Sequence, residues 1–283
     1  MMKQLNNISP SHIKYMKIFI SFVFIFILIL SNYANAETNC FIASEKNLIV
    51  HSEGECDKRY TPASTFKIAI SLMGFDSGIL VDETHPTWDF KSGYVDWLER
   101  WKQPHNPKLW LANSCVWYSQ IITQKLGIKR FTEYTKLLNY GNQDTSGDKG
   151  MNNGLTNCWL SSSLSISPQE QINFLNQLVV NKLPVSIDAQ EKTKNIMCQE
   201  TLPSGWELYG KTGNGSQLDA DGNKIKDRQV GWFVGFVRKG EKIITFVQLV
   251  ADEDKQDTYA SQRAKAALKD RISNVLSDFY KNI

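Results

Sequence analysis

The chain has 283 residues, 42% hydrophobic and 22% charged, enough apolar material for a sizeable core and too ordered a composition for a disordered or fibrous protein. Three Lys and no Asp or Glu fall in residues 1–36, so beyond them 29 basic residues face 29 acidic ones. That balance offers no basic stripe for nucleic acid and no cationic amphipathic helix for a membrane surface, which leaves a small molecule as the default partner.

Residues 16–36 read MKIFISFVFIFILILSNYANA: one Lys, an apolar run from Ile18 to Leu30, then Ala34-Asn35-Ala36. This three-part form predicts a secretory signal peptide over 1–36, cleaved after Ala36, because the run is well short of the roughly 20 residues that cross a bilayer. Initiation at Met1, Met2 or Met16 stays open. The mature chain, 37–283, is then expected to be secreted, to a periplasm-type compartment, and free of the membrane. It carries five cysteines, Cys40, Cys56, Cys115, Cys158 and Cys198, and an odd count excludes complete internal pairing. Cys40 and Cys56 flank two short β-type runs, and geometry decides whether they meet across a hairpin. No CxxC or HxxxH occurs, and His51, His85 and His105 are isolated, so no metal site is expected.

Phe41–Ser44 and Asn47–His51 read as strands around a tight turn. Pro62 then starts a helix running to about Gly74. The middle, about 82–199, has helical stretches at Ser114–Leu126, Phe131–Leu138 and Pro168–Val180, the last opened by Ser167 as N-cap. Between Tyr140 and Thr156 lies a loop rich in Gly, Asn and Asp. The period then changes: Glu207–Lys211, Val230–Arg238 and Lys242–Val250 read as strands, with turns at Asp221-Gly222 and Lys239-Gly240. A last amphipathic helix covers about Tyr259–Tyr280. Strands at both ends and helices between them predict an α+β fold, an antiparallel sheet built from N- and C-terminal segments and flanked by terminal helices. A helical lobe is inserted at about 82–199, with a cleft between sheet and helices.

Within this frame, "YTPASTFKIAI" places Ser64 three residues before Lys67 at a helix start. Backbone N–H groups lie beside the hydroxyl, and the spacing stacks the amine on the same face. An S-x-x-K alone is weak: Ser146–Lys149, in the polar loop "SGDKG", is a second one and reads as a solvated face. Further on stand "SCV" at 114–116, "YGN" at 140–142, "WL" at 159–160 and "KTGNG" at 211–215. The last ends a strand expected to border the cleft. Gly213 leaves room for a substrate backbone there, while Lys211 and Thr212 offer a cation and a hydroxyl to a carboxylate.

S-x-x-K, S-x-V, Y-G-N and K-T-G in this order resemble the serine penicillin-recognising enzymes, and across the mature chain the class D or oxacillinase-type β-lactamases in particular. The resemblance implies hydrolysis of the β-lactam ring of penicillin-type antibiotics through a Ser64 acyl-enzyme, conferring resistance. It implies that Lys67, in an apolar shell of Phe66, Ile68, Val116, Trp159 and Leu160, takes up CO2 or bicarbonate as a carbamate and acts as general base, held by the Trp159 N–H. No class A style deacylating Glu motif is present. Ser114, assisted by Lys211, would pass the proton to the leaving nitrogen, and the N–H groups of Ser64 and Asn214 would form the oxyanion hole. For the substrate carboxylate the resemblance offers Arg263 on the last helix, with Thr212 and Ser261 as the alternative. It makes Tyr140 part of a structural turn, while Trp88, Trp97, Trp101, Trp110 and Trp117 read as packing. A monomer or weak dimer is expected. A penicillin sensor and a peptidoglycan transpeptidase or carboxypeptidase share these motifs and stand as rivals.

Overall fold

In the computed structural model, which describes residues 38–280, strand β1 (Thr38–Glu45) turns through Lys46 and Asn47 into β2 (Leu48–Gly54). The expected signal peptide lies outside the described residues. Both turn residues have positive φ, the backbone that matches the right-handed twist of a tight hairpin. Cys40 and Cys56 form a disulfide with Cα atoms 5.2 Å apart, which settles the pairing that the sequence left open. Cys115 and Cys158 are buried free thiols, and Cys198 is exposed.

The remaining strands are β3 (Cys198–Thr201), β4 (Glu207–Leu218), β5 (Lys224–Lys239) and β6 (Lys242–Ala251). They join the hairpin in one six-stranded antiparallel sheet, ordered β2-β1-β6-β5-β4-β3. The first strand therefore pairs with the last, Ile42 opposite Val247 and Phe41 opposite Gln248, and N- and C-terminal segments share the sheet as expected.

The helices are α1 (Lys67–Asp76), α2 (Pro107–Asn113), α3 (Val116–Leu137), α4 (Gly154–Asn157), α5 (Pro168–Val179), α6 (Ile187–Ile196) and α7 (Ala260–Tyr280). On one sheet face α7 lays Ala260, Ala264, Leu268 and Ile272, four residues apart, against Phe41, Leu208, Phe233 and Phe246. On the other, Trp232, Val234 and Val247 meet Phe66, Ile68, Leu72 and the inserted helices. Alternate residues of β5 thus serve different cores.

Some boundaries differ from the sequence reading, for physical reasons. Gly127, at φ 75° and ψ 158°, breaks α3, which explains why the pattern looked like two helices. Residues Ser114 and Cys115 fall outside it. Helix α5 has the full capping box: Glu170 N donates to Ser167 Oγ at 3.2 Å, and Ser167 N donates to a Glu170 carboxylate oxygen at 2.9 Å. Helices α2 and α6 and the edge strand β3 have too little apolar periodicity to stand out. "IDAQEKTKNI" of α6 is mostly polar and depends on the Ser186 cap. The described residues form one compact unit. Among the described residues, no helix is long and apolar enough to cross a membrane.

Candidate active site

Ser64 stands on a single 3-10 turn, Ala63–Phe66, that runs directly into α1. Pro62 supplies a φ of −69° before the turn, and its carbonyl accepts hydrogen bonds from Thr65 N at 3.1 Å and Thr65 Oγ1 at 2.7 Å. Lys67 comes one turn later, and its Nζ donates to Ser64 Oγ at 2.9 Å. The lysine is 0% exposed. Burial lowers its pKa from 10.5 to about 7, against a smaller opposing pull from Cys115, so near neutral pH much of it is an uncharged amine. Burial also holds Lys211 well below its ordinary value, reinforced by the charges of Lys67, Lys265 and Arg100. Its Nζ donates to the Thr212 carbonyl at 2.9 Å.

Ser64, Ser114, Val116, Leu160, Thr212, Asn214 and Ser261 line one cleft of about 750 Å³. Lys67, Trp159, Lys211 and Gly213 are buried. Ala63, Ser114 and Ser161 take left-handed backbone, φ 48°, 59° and 56°, without being glycine. Each such residue costs on the order of 1–3 kcal/mol, and their grouping on the turns that aim Ser64, Ser114 and Trp159 is the clustering expected of a functional site.

Trp159 is fully buried, with its ring 5.9 Å from that of Phe66. Thr61 Oγ1 donates to its carbonyl at 3.0 Å and accepts from Ser161 N at 3.0 Å, so Thr61 fixes the loop against the Ser64 turn. The indole N–H, however, has no hydrogen-bond partner. A buried donor left unsatisfied costs about 1–3 kcal/mol, which marks the place as one built for an acceptor.

Arg263 is placed elsewhere. Its Nη2 lies 2.8 Å from each carboxylate oxygen of Asp252, a fully buried side chain just after β6, and it does not line the cleft. The pull of a buried carboxylate explains this: an unpaired Asp252 charge would cost several kcal/mol. Of the two arrangements the resemblance offered for a substrate carboxylate, Thr212 and Ser261 are the pair on the cleft wall.

Gly213 also has a different reason from the one expected. A Cβ there would stand 2.7 Å from the Pro62 carbonyl oxygen and 3.0 Å from Thr65 Cγ2, so the glycine lets β4 press against the turn that carries Ser64. Gly213→Ala is therefore expected to push strand and turn apart and to lower kcat/KM by about 100-fold, since misplacing reacting groups by an ångström costs that much. Steady-state kinetics alongside an unchanged far-UV circular dichroism spectrum would check it.

Other residues were not singled out from the sequence. Trp97, grouped there with the packing tryptophans, is 65% exposed on the cleft, whereas Trp101, Trp110 and Trp117 are buried. Tyr259, Arg100, Lys265 and Lys269 also line it. A signal for the lysines existed: Ser261, Gln262, Lys265 and Lys269 recur at three- and four-residue spacing on one face of α7. Nothing local marks Thr61. Tyr140 is fully buried, packed on Phe66 and Phe174, as a structural turn requires.

The sequence profile of the penicillin-binding protein transpeptidase domain matches residues 27–273, which with the Ser64–Lys67 pair defines the class of fold and site. β-Lactamase OXA-9 of Klebsiella pneumoniae is 43% identical over 217 residues, covering 76% of this chain and 79% of its own. β-Lactamase OXA-1 of Escherichia coli is 41% identical over 233 residues, covering 82% and 79%. The crystal structure of the class D β-lactamase OXA-427 superposes with a TM-score of 0.81 at 42% identity, over 85% of this chain and 99% of that one. The chain belongs to the class D, oxacillinase-type, β-lactamases.

Proposed function

We propose that the protein hydrolyses the β-lactam ring of penicillin-type antibiotics through an acyl-enzyme on Ser64, with carboxylated Lys67 as general base, and so confers resistance. The observation that carries this reading is the 2.9 Å bond between a buried, charge-depleted amine and the Ser64 oxygen. Ser64 Oγ attacks the β-lactam carbonyl carbon as its proton leaves towards the base at Lys67. The ring C–N bond breaks, and a proton reaches the departing nitrogen through the Ser114 hydroxyl with Lys211 beside it. The N–H groups of Ser64 and Asn214 receive the charge developing on the carbonyl oxygen, at about 3–4 kcal/mol per donor. Thr212 and Ser261 orient the substrate carboxylate.

Carbon dioxide on the Lys67 nitrogen would supply an anionic base for acylation and for the water that releases the product. The residues present fit that group: its formation needs an uncharged amine, which burial gives Lys67, and its retention needs an N–H donor, which Trp159 offers unpartnered. Val116, 2% exposed, and Leu160 limit water there.

On this reading residues 1–36 direct export and 37–283 work in the periplasm as a monomer or weak dimer. Purified protein is expected to turn over a chromogenic penicillin or cephalosporin many times per Ser64. A single stoichiometric burst would instead make it a penicillin sensor, which stays acylated.

A further inference from the structure

The charge of the cleft is one-sided. Arg100, Lys265 and Lys269 line it, and among the described residues no Asp or Glu does. Lys265 and Lys269 share one counter-ion, Glu200, at 3.8 and 2.8 Å. Arg100, exposed on the 3-10 turn Glu99–Trp101, has no ion-pair or side-chain hydrogen-bond partner among the described residues.

The two walls divide by strand alternation. Gly213 points at the Ser64 turn, and Gly210 at Phe233 in the layer covered by α7, so Thr212 shares the α7 face with Gly210. Lys265, 5.3 Å over the Phe233 ring, is on that same face. A penicillin carries one ring carboxylate, which Thr212 and Ser261 on this wall satisfy. Arg100 lies across from α7 in the chain's layout, on the 3-10 turn Glu99–Trp101 of the inserted lobe, with Trp97, Leu98 and Trp101 beside it on the cleft lining. Both Arg100 and Lys265 add their charge to the depression of Lys211.

We propose that Arg100, bordered by Trp97 and Trp101, is a specificity-determining subsite for an anionic acyl side chain, so that the enzyme favours β-lactams bearing a second carboxylate there. This rests on the hydrolase reading above. Guanidinium binds carboxylate through two parallel N–H donors, and the flanking rings shield part of the pair from water. Because Arg100 is exposed, the gain is modest, on the order of the stronger surface ion pairs.

Benzylpenicillin and carbenicillin, identical but for a side-chain carboxylate, isolate the effect. In Arg100→Met the carbenicillin-to-benzylpenicillin ratio of kcat/KM is expected to fall about fivefold. Raising ionic strength from about 0.05 to 0.5 M is expected to lower the ratio in the natural protein and not in the variant. Lys102→Met, removing a nearby exposed cation already paired with Asp96 and Glu99, is expected to leave the ratio in place. A ratio held within about twofold in Arg100→Met, or an equal fall in Lys102→Met, overturns the subsite while leaving the hydrolase reading intact. Failure of the natural protein to turn over either penicillin removes both.

Discussion

Lys67→Met is expected to abolish turnover and, in the same protein, to raise stability by roughly 2–4 kcal/mol at pH 7 in bicarbonate-free buffer. Both effects come from one buried nitrogen. The folded pKa of about 7 lies below the unfolded 10.5, so between these values the native state holds fewer protons than the unfolded one. The resulting destabilisation is fully present below pH 7 and disappears as pH rises through 10.5. Methionine fills nearly the same volume without a charge to desolvate. The gain should therefore be largest at pH 6–7 in urea unfolding and small at pH 10. Turnover should fall at least 1,000-fold, with Ser64 acylating slowly and the acyl-enzyme persisting in mass spectra. A Lys67→Met protein with near natural turnover would exclude this lysine as the base.

Trp159→Phe is expected to lower kcat by about 10- to 100-fold in bicarbonate-free buffer, with much of the loss recovered by added bicarbonate. The substitution deletes the unpartnered N–H and keeps most of the aromatic surface that packs on Phe66 and Phe131. Losing a donor weakens retention of a carboxyl group on Lys67, and a higher concentration of its source offsets this by mass action. In the natural protein, activity should fall below pH 7 as the amine is protonated, and bicarbonate should counter that too. Stability should change little, because relief of the unsatisfied buried donor offsets the packing lost with the smaller ring. Unaltered kcat together with indifference to bicarbonate would reduce Trp159 to packing and remove the support for a carboxylated lysine.

The legible parts of this protein were those written in local chemistry. Ser64 and Lys67 were visible because a serine and a lysine one turn apart at a helix start make a hydrogen bond that needs no distant partner. The strand signals at Val230–Arg238 and Lys242–Val250 were clear because β5 and β6 are buried on both faces. What was hidden depends on tertiary proximity. Strand β4 continues from Lys211 to Leu218 through glycine and asparagine that look like loop, since Gly213 and Gly215 are demanded by the Pro62–Thr65 turn and by Thr61 and Ser161. Arg263 was offered by the family resemblance as the partner of a substrate carboxylate, but Asp252, eleven residues earlier in the chain, engages it, and no spacing rule announces that pair. Arg100 became visible only once loop and helix faced each other.

The Asp252–Arg263 ion pair carries one more implication. It fastens the end of the final strand to the first turn of α7, the element that forms one side of the cleft. Such a rivet makes that side a fixed jaw, so a ligand meets a receptor already in shape and loses little binding energy to rearrangement.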